Sequence, residues 1–306
     1  MRILIIKLGA AGDVVRTTPL LRVLKGKIDW ITTKSNAVLL KSNPHVDRII
    51  TLHESSSLFT EIYDLLINLE DTREIGELVD QLKYKELFGA YLNPSGHLVY
   101  TDTSREWFDL SLISRHGKEK ADELKLQNRK SYQELIFSGL GFRFAGEQYF
   151  LPEAKKTGLH GDVAIAPKAG SIWPMKNWAY FDDLKSELKK FGCLVNFLPR
   201  RTSLLEHIGD IQNHRLLISG DSLPMHLALG SGIPCVTLFI CTSPWEIYDY
   251  GLQRKIISPY LERYFYRRNF QYDATTSISR EEVAREVFSA ICDHRILRHN
   301  RGRRCD

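Results

Sequence analysis

Residues 216–251 read LLISGDSLPMHLALGSGIPCVTLFICTSPWEIYDYG. An apolar, β-forming run ends at Gly220-Asp221-Ser222, and a helical pattern opens at once with Pro224 in its first turn. A second apolar run, PCVTLFI, then ends at Thr242-Ser243-Pro244. Strand, helix and strand at this spacing predict a βαβ unit, the building block of a parallel α/β sheet. Ligands of such sheets bind beyond the carboxyl ends of the strands. There the backbone N–H groups of Ser222 and Leu223, with the Ser222 hydroxyl, suit a diphosphate. Thr242 ends the next strand at the same edge, and His226 lies one helical turn in. On spacing alone, Asp221 as a helix cap and His226 as a core histidine fit equally well.

The same alternation extends outward in both directions. DVAIAP, CLVNFLP, RLLISG and PCVTLFI are predicted strands, interleaved with helices near 177–190, 203–211 and 222–230. RKIIS supplies a further strand, and Ser279-x-x-Glu282 is a capping box that opens a final helix over 279–292. Upstream, LPEAKKTGLHGD at 151–162 is polar, aperiodic and punctuated by Pro and Gly, which marks a linker. Before it, strands are predicted at 2–7, 28–33, 48–52 and 63–69, with helices near 13–26, 35–42 and 72–82. From 95 to 135 the pattern turns irregular before a helix that ends near Gly139. Two domains follow, 1–152 and 160–306, each an α/β sheet.

The opening stretch 7–21, KLGAAGDVVRTTPLL, repeats the theme of a buried strand, a glycine turn and a helix. A helix start offers N–H groups and the positive dipole end to an anion, yet Asp13 occupies it. A carboxylate there competes with phosphate and suits a proton acceptor or a helix cap. A dinucleotide fingerprint needs a third glycine and an acidic residue closing the second strand. Only Gly9 and Gly12 are present, and the second strand ends at Lys34. No G-K-[ST] exists for a P-loop.

Composition excludes several classes. The 306 residues are 43% hydrophobic and 26% charged, with a net charge of +5, too modest to point to nucleic acid. Cys193, Cys235, Cys241, Cys292 and Cys305 form no C-x-x-C pair, so neither disulfides nor zinc are expected and a reducing cytoplasm fits. The chain starts directly with a strand, which predicts no signal peptide, and no apolar run reaches the ~20 residues that span a bilayer. RILRHNRGRRC, at 295–305, carries five arginines; it reads first as a solvated end, and second as a patch for anionic lipid or a phosphorylated acceptor, which would add peripheral contact with the inner face of the membrane to a cytoplasmic location.

These motifs carry a resemblance. GDSLPMHLALGSGIPCVTLF, followed by TSPWEIYDYG, resembles the signature of glycosyltransferase family 9, the heptosyltransferases of lipopolysaccharide inner-core assembly. ILIIKLGAAGDVVRTTPLLRVLK resembles that family's opening, and WPMKNWAYFDDL, at 173–184, a third of its motifs. The resemblance implies a GT-B fold: two facing Rossmann-like domains with parallel sheets, the first taking a glycan or lipid-linked saccharide acceptor and the second a nucleotide-sugar donor such as ADP-heptose. It implies inverting transfer with no metal and no cofactor, in keeping with the absence of a D-x-D motif from the sequence. Asp13 matches the catalytic base, with Gly9, Gly12 and Thr17 on the acceptor side. Lys176 in KNW matches the family's Lys-x-Trp, a cation for the leaving diphosphate; an alignment anchored on Trp173 puts Ser171 there instead. Lys168, Asp221, Ser222, Leu223, His226 and Thr242 fall on the donor side.

Two departures stand out. Leu223 replaces a glycine that follows the family's Ser/Thr. After CLVNFLP, the sequence RRTSLLEHIGDI enters a later family helix directly, so a strand–helix unit and its ribose-binding acid are missing; Glu206 is the nearest carboxylate. An active transferase is the first reading. A non-catalytic relative that binds a nucleotide sugar or a partner protein is the second.

Overall fold

A computed structural model describes residues 1–301, with side chains described to residue 293. The side chains of the basic tail, the candidate membrane contact, lie outside the described residues. Among the described residues no helix is long and apolar enough to cross a membrane. The chain divides into two compact units, Met1–Pro152 with Trp245–Tyr248, and Glu153–Pro244 with Asp249–Asp306.

The first unit is built on a six-stranded sheet: β1 (Arg2–Ile6), β2 (Lys27–Thr32), β3 (Arg48–Thr51), β4 (Ile62–Asn68), β5 (Lys83–Leu92) and β6 (Leu98–Tyr100). Their order is β3-β2-β1-β4-β5-β6, parallel throughout except for the β5–β6 pair. Ile3, Leu4, Ile5 and Ile6 are wholly buried, because a central parallel strand is covered on both faces and reads as an unbroken apolar run. The strand order reverses between β1 and β4, which opens the crevice that α/β sheets use for ligands at the β1 and β4 carboxyl ends. Helices α1 (Ala11–Thr17), α2 (Arg73–Gln81), α3 (Arg105–Phe108), α4 (Lys118–Gln127) and α5 (Tyr132–Gly139) complete the unit.

The second unit carries β7 (Gly161–Ala166), β8 (Val195–Phe197), β9 (His214–Gly220), β10 (Cys235–Phe239) and β11 (Gln253–Ile257). All are parallel, in the order β11-β10-β9-β7-β8, and the order reverses between β7 and β9. Its helices are α6 (Phe181–Lys190), α7 (Leu204–Gln212), α8 (Leu223–Gly230), α9 (Leu261–Tyr264), α10 (Tyr272–Thr275) and α11 (Arg280–Arg301). Val163, Ile165, Leu216, Ile218, Val236 and Leu238 from the strands pack with Leu184 and Leu188 of α6 and Val283 and Val287 of α11. Each such side chain contributes roughly 1.5–3 kcal/mol on burial. Two Rossmann-like units with parallel sheets are what the sequence led us to expect.

Several expected elements differ. The helix expected over 13–26 stops at Thr17 and continues as a 3₁₀ turn, Thr18–Arg22, because Pro19 lacks the N–H an α-helix needs. The helix expected over 35–42 is one 3₁₀ turn, Ala37–Leu39, since so short a segment cannot offset the cost of nucleation. The region 95–135, expected to be irregular, holds β6, α3 and α4. The Ser279 hydroxyl does accept from the Glu282 N–H (3.2 Å), so half of the expected capping box opens α11. No strand lies between β8 and α7, in line with the shortening noted above.

Candidate active site

In the first unit the glycine turn leaves β1 at the sheet's reversal point. Lys7, the residue after β1, sends its Nζ to Glu70 Oε1 (3.0 Å) beyond the end of β4, and the Leu8 N–H donates to the same oxygen (2.7 Å). This buried pair ties together the two strand ends that flank the crevice. Burial works against the Lys7 charge, but Asp13 and Glu70 outweigh it and raise the pKa.

Asp13 stands in the first turn of α1. One carboxylate oxygen accepts from the Ala10 N–H (3.1 Å) and the other lies 3.0 Å from Arg16 Nε. Its side chain keeps 33% exposure, whereas Glu246 keeps 6% and Glu70 12%. Asp13 is therefore the carboxylate of this group best placed to meet a ligand. Arg16 is held in turn by the Tyr132 ring (4.2 Å), by Trp107 (5.6 Å) and by Glu246 (3.8 Å). The Tyr132 hydroxyl is 2.7 Å from Thr17 Oγ1, which donates to the Asp13 carbonyl (2.7 Å). Of the residues expected on the acceptor side, Gly9 is half-buried in the turn, Gly12 is buried in α1, and Thr17 is buried with its hydroxyl engaged. Thr17 thus supports Asp13 from behind. Sequence reasoning passed over Lys7, Arg16, Glu70, Tyr132 and Glu246. Only Arg16, at helical spacing from Asp13, left a local trace in the sequence.

In the second unit the end of β9 meets the 3₁₀ turn Pro174–Lys176. Lys176 Nζ donates to Asp221 Oδ2 (2.9 Å) and to the Asp221 carbonyl (2.8 Å), and Thr242 Oγ1 donates to the same carboxylate oxygen (2.7 Å). Gly220 permits this approach, since a Cβ there would lie 2.8 Å from the Lys176 carbonyl. Burial alone would raise the Asp221 pKa, but Lys176, then His226, then the hydrogen bonds from Lys176 and Thr242 bring it down to about 2. Asp221 is not the helix cap. Ser222 is the N-cap of α8, and no side chain caps it. With Asp221 turned onto Lys176 and Thr242, the start of α8 stays open to a ligand's acceptor atoms.

The structure thus brings Lys176, Asp221, His226 and Thr242 together, with Ser222 and Leu223 at the adjoining helix start. It does not leave Lys176 as an unmatched cation. Lys168 follows β7 at the same sheet edge and is exposed, as is Ser171, the other candidate for the Lys-x-Trp position. Glu206 is bound by Lys155 Nζ (2.6 Å) at the start of α7. Among the described residues no group of three or more His, Cys, Asp or Glu could hold a metal ion.

The model of glycosyltransferase family 9 (heptosyltransferase) matches residues 173–269, the span that contains Lys176, Asp221, His226 and Thr242. No curated protein sequence matches the chain. Among solved structures, a family 9 glycosyl transferase from Veillonella parvula is similar at 17% identity and TM-score 0.64, over 95% of this chain and 97% of that one. E. coli heptosyltransferase WaaC with ADP is similar at 16% identity and TM-score 0.64, over 95% of this chain and 100% of its own. E. coli ADP-heptose lps heptosyltransferase II follows at 15% identity and TM-score 0.62, over 96% and 100%. At these identities the likeness shows the fold, the two-unit GT-B architecture.

Proposed function

We propose that the chain is a family 9 glycosyltransferase that moves a sugar with inversion, without metal, from a nucleotide-sugar donor to a saccharide or lipid-linked glycan, a reading supported by the family model that matches residues 173–269. The observation that carries this reading is the uncapped start of α8 beside the Lys176–Asp221–Thr242 cluster, inside the matched span. A helix start with open N–H groups suits the donor diphosphate, with Lys168 at the same edge. The E. coli WaaC structure with ADP supports an ADP-linked sugar, and heptose is the sugar we propose.

The first unit supplies the base. Asp13 takes the proton of an acceptor hydroxyl, whose oxygen bonds to the anomeric carbon on the face opposite the diphosphate. The carbon–oxygen bond to the diphosphate breaks, and its electron pair leaves with the nucleotide. Arg16 orients Asp13, and Tyr132 and Thr17 hold that pair in place. A positioned base contributes roughly 10²–10⁴-fold. Stabilisation of the departing charge is the larger share in most such reactions.

One observation favours a non-catalytic relative that binds a nucleotide sugar: the second unit has no strand between β8 and α7. One experiment separates the two readings. A thermal-shift screen of nucleotide sugars finds the donor, because ligand at concentration [L] stabilises by RT ln(1 + [L]/Kd). Release of free nucleotide on adding saccharide acceptors then marks a transferase. Stabilisation with no release under any acceptor marks the binding relative, and no stabilisation by any nucleotide sugar sinks both.

A further inference from the structure

The Lys176–Asp221 pair raises a question of charge. A nucleotide-sugar diphosphate brings two negative charges and gains another as the sugar departs. Lys176 meets it already neutralised by a carboxylate 2.9 Å away, with both side chains largely out of solvent. Dipole and N–H groups at α8 carry only about half a unit of positive charge. Lys168 is exposed, with no partner that fixes it among the described residues. A fixed cation is needed, and the second unit contains one within the span that matches the family model.

Arg268 makes a cation–π contact with Trp173, its guanidinium carbon over the ring 5.4 Å from the centroid. Lys176 Nζ lies 5.5 Å from the same centroid, so one indole joins Arg268 to the cluster at the end of β9. The loop that carries Arg268 is anchored there independently. The Tyr266 N–H donates to the Cys241 carbonyl (2.8 Å), next to Thr242, and the Tyr266 ring meets Trp173 edge to face at 5.4 Å. Tyr266 takes a left-handed backbone (φ 50°), which turns the chain as Arg267 and Arg268 follow. Arg268 is exposed and forms no ion pair with any described residue. Its neighbour Arg263, by contrast, faces Asp273 (3.6 Å).

We propose that Arg268, placed over Trp173, is the unneutralised cation that binds the donor diphosphate and stays with the nucleotide diphosphate as it leaves. The inference rests on the placement of the donor in the second unit. Its physical basis is the guanidinium itself: planar, always charged, able to grip two phosphate oxygens at once and to stack on an aromatic face. The cation–π contact restrains the side chain before the ligand arrives, so less conformational freedom is lost on binding. Lys176, matched by Asp221, is then a positioning residue that holds the β9 end in shape.

Calorimetry with inorganic pyrophosphate, ADP and adenosine tests this on the full chain. Arg268→Ala should weaken pyrophosphate and ADP by about tenfold or more, as expected for a lost charge-assisted hydrogen bond, and leave adenosine unchanged. Arg268→Lys keeps the charge without the planar fork and should fall between wild type and Arg268→Ala, which also excludes misfolding as the cause. Arg263→Ala, an exposed arginine already paired, should bind like wild type. Equal pyrophosphate and ADP affinities in wild type and Arg268→Ala overturn the proposal while leaving the donor site standing. An equal loss for adenosine and ADP overturns it too, since the contact would then be with the nucleoside. If wild type binds neither ADP nor pyrophosphate, the donor reading fails and this inference falls with it.

Discussion

Lys176 and Asp221, 45 residues apart in sequence, meet through two contacts: the ammonium lies 2.9 Å from a carboxylate oxygen and 2.8 Å from the carbonyl of the same residue. A buried pair of this kind is costly to break, because the partner left behind is a charge without solvent. The pair therefore governs both the stability of the β9 end and the charge that a ligand meets there.

The first prediction follows from its titration. Asp221 has a folded pKa of about 2 against an ordinary 3.8, so its contribution is present above pH 3.8 and is lost as pH falls through about 2. That contribution is on the order of 2 kcal/mol. Asp221→Asn should remove this acid-dependent slope. At neutral pH it should also cost about 3–5 kcal/mol by leaving Lys176 unpaired. Urea unfolding at a series of pH values measures both effects. A mutant as stable as wild type, with the same acid slope, would show that the pair contributes nothing.

Asp13→Asn keeps an oxygen for the Ala10 N–H but removes proton acceptance. Turnover should fall by roughly 10²–10⁴, with donor affinity nearly intact. Released nucleotide gives the rate and calorimetry the affinity. Full activity in this variant would rule out Asp13 as the base.

Bulk at the start of α8 should act by sterics. Ser222→Phe is expected to abolish nucleotide-sugar binding while the melting temperature stays close to wild type, because Ser222 is only half-buried. His226→Ala should cost less, about 1–2 kcal/mol of binding, the worth of one hydrogen bond to a charged group. Undiminished donor binding in Ser222→Phe would move the donor away from this helix.

Metal dependence gives the fourth test. With the diphosphate met by backbone N–H groups and fixed cations, excess EDTA should leave the rate essentially unchanged. Loss of activity on chelation, with recovery on adding Mg²⁺ or Mn²⁺, would falsify the metal-free mechanism.

Much of the fold was legible in sequence because it is written locally. Ile3 to Ile6 announce a buried parallel strand by apolarity alone, and Pro224 after Ser222 marks a helix start by backbone geometry. The Gly-Asp-Ser and Thr-Ser-Pro strand ends could be paired from spacing and from the family resemblance. The helix expected at 35–42 failed where local preference was too weak to stand without packing.

The charges were decided elsewhere. Nothing in the spacing of Lys176 and Asp221, of Lys7 and Glu70, or of Trp173 and Arg268 says that they meet. Nor does spacing bring Trp245–Tyr248 into the first unit, where Glu246 faces Arg16. Each pairing depends on strand order, and strand order is set by how whole sheets bury their faces. Periodicity and motif resemblance suffice for two α/β units with candidate base and donor residues at strand ends. Which of those charges are matched and which stay open to a ligand emerges in the folded chain, because Coulomb energy depends on distance and burial, not on position along the chain.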